Sequence, residues 1–177
     1  MTIRNHLRQR LAPALLLALL SLQPGRAQGA SAHSALLRVG GLVKHPLILQ
    51  EADLQSLPRR RLAVTDEKGH PVSYEGVPVA AILRRAGAPL GADLRGPAMK
   101  LYLLVEAADG YAAVFALPEF DPDFTSRVAI VADRRDGHPI APPEGPLRLV
   151  IPGERRHARW VREVTALDLE QARASSP

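Results

Sequence analysis

The 177-residue sequence contains no cysteine, which removes disulfides, thiolate nucleophiles and thiolate metal ligands from anything the chain does. Aromatics are nearly as scarce, with three Phe, three Tyr and a single Trp, so the core must be built mainly from aliphatic side chains. The histidines outside the first 27 residues, His33, His45, His70, His138 and His157, lack the i, i+4 spacing of a helical zinc site. No Gly-x-Ser-x-Gly elbow is present, so no serine hydrolase triad can be named, and no period of about 20–50 residues repeats, which argues against a solenoid. The charge-free apolar run Leu11 to Leu22 covers about 12 residues, against roughly 20 for a bilayer-spanning helix.

That short run follows Arg4, Arg8 and Arg10 and precedes Pro24-Gly25-Arg26-Ala27. A basic start, a short apolar stretch and small residues predict a secretory signal peptide over residues 1–27, cleaved after Ala27 or Ala30, and hence a periplasmic or secreted protein. Residues 28–34 read as a flexible start, 35–170 as one domain and 171–177 as a flexible tail. Arg8-Gln-Arg10 is not an adjacent arginine pair, which favours export of the unfolded chain. Removing residues 1–27 takes away four arginines and no acids, so the formal charge falls from +5 to about +1. A nearly neutral chain gives no ground for nucleic-acid binding, and no membrane span is expected after cleavage.

The pattern of the remaining chain changes period several times. Ala35 to Val39 and Leu47 to Leu49 read as strands, and Glu51 to Leu57 as one or two helical turns before Pro58. Arg61 to Thr65 and Val72 to Glu75 alternate around the turn Asp66-Glu-Lys-Gly-His-Pro71, predicting a hairpin. Pro78 to Ala86 predicts a helix with Pro78 at its first position and Gly87 as its stop. Met99 to Ala107 and Tyr111 to Leu117 flank the Asp109-Gly110 turn of a second hairpin. Val128 to Ala132, Leu147 to Ile151 and Val161 to Thr165 complete the strands. The expected fold class is α+β, mixed and strand-rich.

The order of several short motifs then carries a resemblance. Gly41-Leu-Val-Lys-His-Pro-Leu-Ile-Leu49, Tyr74-Glu-Gly-Val-Pro78, Asp109-Gly-Tyr111, Ala132-Asp-Arg-Arg-Asp-Gly137 and Gly145-Pro-Leu-Arg-Leu-Val-Ile-Pro-Gly153 occur in sequence, followed by Arg159-Trp-Val161. From about Leu37 to Leu169 the chain resembles the oxidoreductase molybdopterin-binding domain of the sulfite-oxidase-like family. The resemblance implies a pterin held through its phosphate and polar edges, with molybdenum bound by the pterin dithiolene and one protein cysteine. The chain departs from that pattern. Where the family ligand falls, after the strand Arg61 to Thr65, the sequence is Thr65-Asp-Glu-Lys-Gly-His70, and Thr65 or Asp66 would offer only hard oxygen. The resemblance also implies a basic residue near the pterin phosphate just before the tryptophan, the position Arg159 occupies.

Candidate binding residues concentrate in the stretch Arg148 to Arg162. Guanidinium forks suit phosphate and carboxylate oxygens, which puts an anion near Arg148, Arg155, Arg156, His157 and Arg159, with Tyr111 as a ligand-facing aromatic. Most have a plainer reading: Arg155 and Arg156 as surface arginines of a solvated turn, Arg148 as a strand residue pointing outward, towards solvent or a cleft, and held in a salt bridge, and Tyr111 and Trp160 as packing residues. The loop Asp133 to Gly137 is too short for a calcium site and reads as a turn held by aspartates. No catalytic or metal-ligating residue is assigned. Three functions stand open. The first is an exported module binding an anionic small molecule or a protein partner without redox chemistry, and the second a molybdopterin-dependent periplasmic oxidoreductase with a non-cysteine ligand. The third is an accessory subunit of an exported complex.

Overall fold

The computed structural model describes residues 36–173. The expected leader and flexible start, 1–27 and 28–34, and the last four residues lie outside that range. Ten strands and two short α-helices follow in order: β1 (Leu37–Gly41), β2 (Leu47–Leu49), α1 (Glu51–Ser56), β3 (Arg60–Thr65), β4 (Pro71–Pro78), α2 (Val79–Arg85), β5 (Leu101–Ala107), β6 (Ala112–Ala116), β7 (Ile130–Arg135), β8 (His138–Pro139), β9 (Arg148–Val150) and β10 (Val164–Gln171). Single 3-10 turns at Gly91–Asp93, Gly96–Lys100, Leu117–Phe120 and His157–Arg159 fill the connections. The α+β expectation holds.

The strands form two sheets. One runs β2-β1-β10-β5-β6, and the other runs β3-β4-β7-β8 with β9 also paired to β7. Their inward residues meet in one hydrophobic cluster, with Leu37, Val39, Leu103, Val105, Phe115 and Leu167 from the first sheet and Tyr74, Val77, Ile130 and Leu149 from the second. Ile82 and Leu83 of α2 seal the same core. Burying each large aliphatic side chain contributes about 1.5–3 kcal/mol, which lets a chain without disulfides hold together.

Local chemistry explains the element ends. The Gln50 amide donates to Asp53 Oδ2 (2.9 Å), closing the start of α1. Pro78 ends β4 instead of opening α2, because its extended φ/ψ (−54°, 131°) suits a strand and the helix begins one residue on. Gly87 stops α2 as expected: its φ of 74° is the left-handed conformation, the Gly87 amide donates to Arg84 O (3.0 Å) and the Ala88 amide to Leu83 O (2.9 Å).

Several strands differ from the expectation. β5 starts at Leu101, because Gly96–Lys100 winds into a 3-10 turn. β7 runs Ile130–Arg135, displaced towards the turn. The largest difference is β10, which occupies Val164–Gln171 in place of Val161 to Thr165. It lies at the centre of its sheet, parallel to β1 and antiparallel to β5.

Candidate functional site

Three connections meet at one end of the molecule. In the β3–β4 turn, the amides of Lys68 and His70 each donate to Asp66 Oδ1 (2.9 Å) and Arg135 Nη2 donates to Oδ2 (3.3 Å). These donors, the His70 amide foremost, outweigh partial desolvation and hold the Asp66 carboxyl below the usual carboxylate range. In the β5–β6 turn, Gly110 at φ 85° donates to Ala107 O (3.2 Å) and the Ala107 amide donates to Tyr111 O (2.9 Å), a three-residue hairpin loop. Asp109 Oδ1 accepts the Tyr111 amide (2.9 Å).

The third connection, from β9 to β10, carries the arginines and is pinned by the lone tryptophan. Trp160 Nε1 donates to Ile151 O (3.0 Å), and the Leu149 amide donates to Val161 O (2.8 Å). The Trp160 ring meets Tyr74 edge-on at 6.1 Å, and His157 stacks on its face at 3.7 Å. Tyr111 ties the second connection to the third by donating its hydroxyl proton to Ala158 O (2.7 Å). The packing role of Trp160 is therefore what shapes the site.

Between these connections lies a cleft of about 580 Å³ bordered by Asp66, Glu67, Asp109, Tyr111, Arg155, Arg156, His157 and Arg162. Three arginines and three acids would cancel, but their engagement differs. Asp66 is committed to its turn and Arg135, Asp109 accepts the Tyr111 amide, and Glu67 approaches Arg148. Among the described residues, Arg155, Arg156 and Arg162 have no acidic partner within 4 Å. Open guanidinium forks are left as the cleft's unspent hydrogen-bonding capacity.

Arg148 makes the expected salt bridge beside a hollow, but from a buried position and not a solvent-facing one. All three residues of β9 are buried, and the Arg148 guanidinium lies 5.8 Å from the centres of both the Tyr74 and Trp160 rings. Its Nη1 pairs with Glu144 at 2.6 Å and its Nη2 faces Glu67 at 3.6 Å. It borders an inner hollow of about 310 Å³ that shares Asp66, Glu67, His157 and Trp160 with the cleft. Burial pushes the Tyr74 phenol in the same hollow up, against the opposing pull of Arg148 and Arg135.

Arg159 is held elsewhere. Its Nη1 and Nη2 donate to Glu119 (3.3 and 2.9 Å), its Nε donates to Glu154 Oε1 (2.9 Å), and its guanidinium lies 4.6 Å from the centre of the Phe115 ring. It borders a neighbouring hollow with Glu154, Arg155 and Arg156 and does not border the cleft. Of the six residues singled out by sequence, Tyr111, Arg155, Arg156 and His157 come together at the cleft, Arg148 lies in the adjoining hollow, and Arg159 lies outside. Sequence reading did not single out Arg162 or Glu67. The first was readable from its place two residues after Trp160, while the second depends on a contact with Arg148 that no local pattern announces. Of the expected turn Asp133 to Gly137, Asp133 lies instead within β7 and pairs with Arg59 through two donors (2.5 and 3.0 Å), while Asp136 Oδ1 accepts the Ser73 amide (2.9 Å).

Comparison with known proteins agrees with this architecture. The family model described as "Oxidoreductase molybdopterin binding domain" matches residues 27–175. The chain belongs to that family. Within it, the chain is 28% identical over 136 residues to YuiH of Bacillus subtilis (strain 168), an uncharacterised oxidoreductase, covering 72% of this chain and 63% of YuiH. A search of solved structures matches the sulfane dehydrogenase SoxCD from Paracoccus pantotrophus, with a TM-score of 0.59 and 25% identity over 75% of this chain and 37% of that one. The chain thus spans less than two thirds of either relative.

Family membership raises the question of a molybdenum pterin, and the donor set answers it in two parts. A metal held by a protein thiolate does not fit, because there is no cysteine in the sequence. Asp66, whose oxygens accept the Lys68 and His70 amides and Arg135, and Thr65, which borders a different hollow with Pro152 and Glu154, would offer only hard oxygen in its place. Among the described residues no group of three or more His, Asp or Glu is placed to hold a metal. The open arginine forks, by contrast, are chemically suited to phosphate or carboxylate oxygens.

Proposed function

We propose that this molybdopterin-binding-like domain is an exported module that binds an anionic small molecule in the cleft and performs no redox chemistry of its own. The reading is carried by the guanidinium groups of Arg155, Arg156 and Arg162 around one cleft, which have no acidic partner among the described residues, in a chain without the family's thiolate. Tyr111 and His157 supply flat surfaces beside them, suited to a ligand that joins an acidic group to a planar one. The test is calorimetric titration of residues 28–177 with inorganic phosphate, comparing wild type with the Arg155→Ala/Arg156→Ala double variant. Weakening of about tenfold or more, with unchanged thermal stability, supports the reading; identical affinities contradict it.

A second reading, a molybdopterin-dependent periplasmic oxidoreductase with an oxygen ligand, is favoured by the family match over residues 27–175. Glu67, 68% exposed at the cleft, carries the carboxylate such a reading would use. Near-equimolar molybdenum in protein purified from its own host would favour that reading. A protein partner offering acidic side chains is the remaining outcome, distinguished by absence of phosphate binding in an otherwise intact cleft.

A further inference from the structure

Arg148 carries an unfilled hydrogen-bonding edge. Its side chain is only 5% exposed, its Nη1 is paired to Glu144, and its Nε is buried without a partner among the described residues. Nε and Nη2 together form the side edge of the guanidinium, the pair of parallel donors that takes two oxygens of a carboxylate or oxyanion at once. The carboxylate nearest that edge is Glu67, at 3.6 Å from Nη2, beyond hydrogen-bonding distance but within ion-pair range. Burying a guanidinium edge this way has a cost that a fully made bidentate contact would offset.

Glu67 is unlike the other acids of the region. Glu144 is shared between Arg135 and Arg148, and Asp66 is fixed by two backbone amides, so neither can leave without uncovering other charges. Glu67 has no second partner among the described residues, is 68% exposed, and borders both the outer cleft and the inner hollow.

Resting on the anion-cleft reading above, we infer that Glu67 is a tethered competitor, a carboxylate that occupies the approach to the Nε/Nη2 edge of Arg148 and sets which anions gain it. A ligand oxyanion displaces Glu67 and makes the bidentate contact that Glu67 does not. Anions with one compact multi-oxygen head are selected over weakly charged ones, because only they out-compete the Glu67 carboxylate for the guanidinium edge.

The experiment titrates wild type, Glu67→Gln, Glu67→Ala and Asp109→Asn with inorganic sulfate while following the Arg148 Nε–H resonance. If Glu67 holds the approach for about nine-tenths of the time, both Glu67 variants bind sulfate about tenfold more tightly. Asp109→Asn removes the same charge from the same cleft without touching Arg148, and gains about twofold or less. The Arg148 resonance shifts on saturation with sulfate. Equal gains from Asp109→Asn and Glu67→Gln would overturn the inference in favour of a diffuse field effect. Wild-type affinity in the Glu67 variants overturns it while leaving the cleft reading intact, and absence of sulfate binding in every variant overturns both.

Discussion

Arg159 is where motif and geometry disagree most, which makes Arg159→Ala the most informative single change. The resemblance puts a phosphate-binding role at this position, yet all three of its donor atoms are engaged by Glu119 and Glu154, whose hydrogen bonds raise its guanidinium pKa further above the ordinary arginine value. Replacing it leaves Glu154, with a side chain 10% exposed and an Oε2 that already lacks a partner, as an uncompensated buried carboxylate. Breaking a fully buried pair costs about 3–5 kcal/mol and an exposed one about 0.2–1. The Arg159 side chain is 37% exposed, so screening brings the expected loss to about 2 kcal/mol. Uncovering the Phe115 face adds about 0.5–1 kcal/mol. Urea unfolding of Arg159→Ala, Glu119→Gln and the double variant should give a total near these values, with a coupling of about 1 kcal/mol or more between the two sites. Phosphate affinity of the folded Arg159→Ala protein should change by less than about twofold. Unchanged stability together with a tenfold loss of affinity would refute the reasoning and restore the role implied by the motif.

Trp160→Ala should cost about 3–5 kcal/mol in urea unfolding and also weaken phosphate binding, since the ring carries His157 and positions the arginine segment; normal affinity would contradict this. Gly87→Ala should destabilise by more than about 1 kcal/mol in thermal unfolding, because alanine must adopt a φ of 74° with its Cβ 2.8 Å from that of Lys44. The folded pKa of Asp66 is lowered by the His70 and Lys68 amides, so its contribution is complete above the unfolded value of about 3.9 and is lost as pH falls through the lower folded value. Wild type should therefore exceed Asp66→Asn in urea midpoint at neutral pH, with the gap closing below about pH 4; a constant gap would contradict the assignment.

What the sequence revealed was local. The Asp66 to Pro71 turn, the Asp109-Gly110 turn and the Gly87 helix stop were legible because each depends on residues within a few positions of one another. β10 was not, because Asp168 and Glu170 interrupt its apolar residues and suggest a chain end. In the sheet, Asp168 accepts both Arg38 donors (2.6 Å) and Glu170 accepts the Tyr102 hydroxyl proton (2.5 Å), which lets a charged segment run through the centre. The salt bridge of Arg148 was legible but its burial was not, because period-two alternation assumes one wet face, whereas Tyr74 and Trp160 cover the second face of β9. The arginines of the 148–162 stretch look alike in one dimension. They are sorted into open and committed by Glu119, Glu144, Glu154 and Glu67, of which only Glu154 lies within the stretch itself.

The central claim is that an arginine cleft works here without a thiolate-held molybdenum, and the most direct test is the cofactor content of the protein purified from its own host. Elemental analysis together with fluorescence of released pterin should find molybdenum far below one atom per chain, whether or not an anionic pterin is retained. Near-equimolar molybdenum and pterin would contradict the account and make this chain an oxidoreductase with an oxygen-ligated metal.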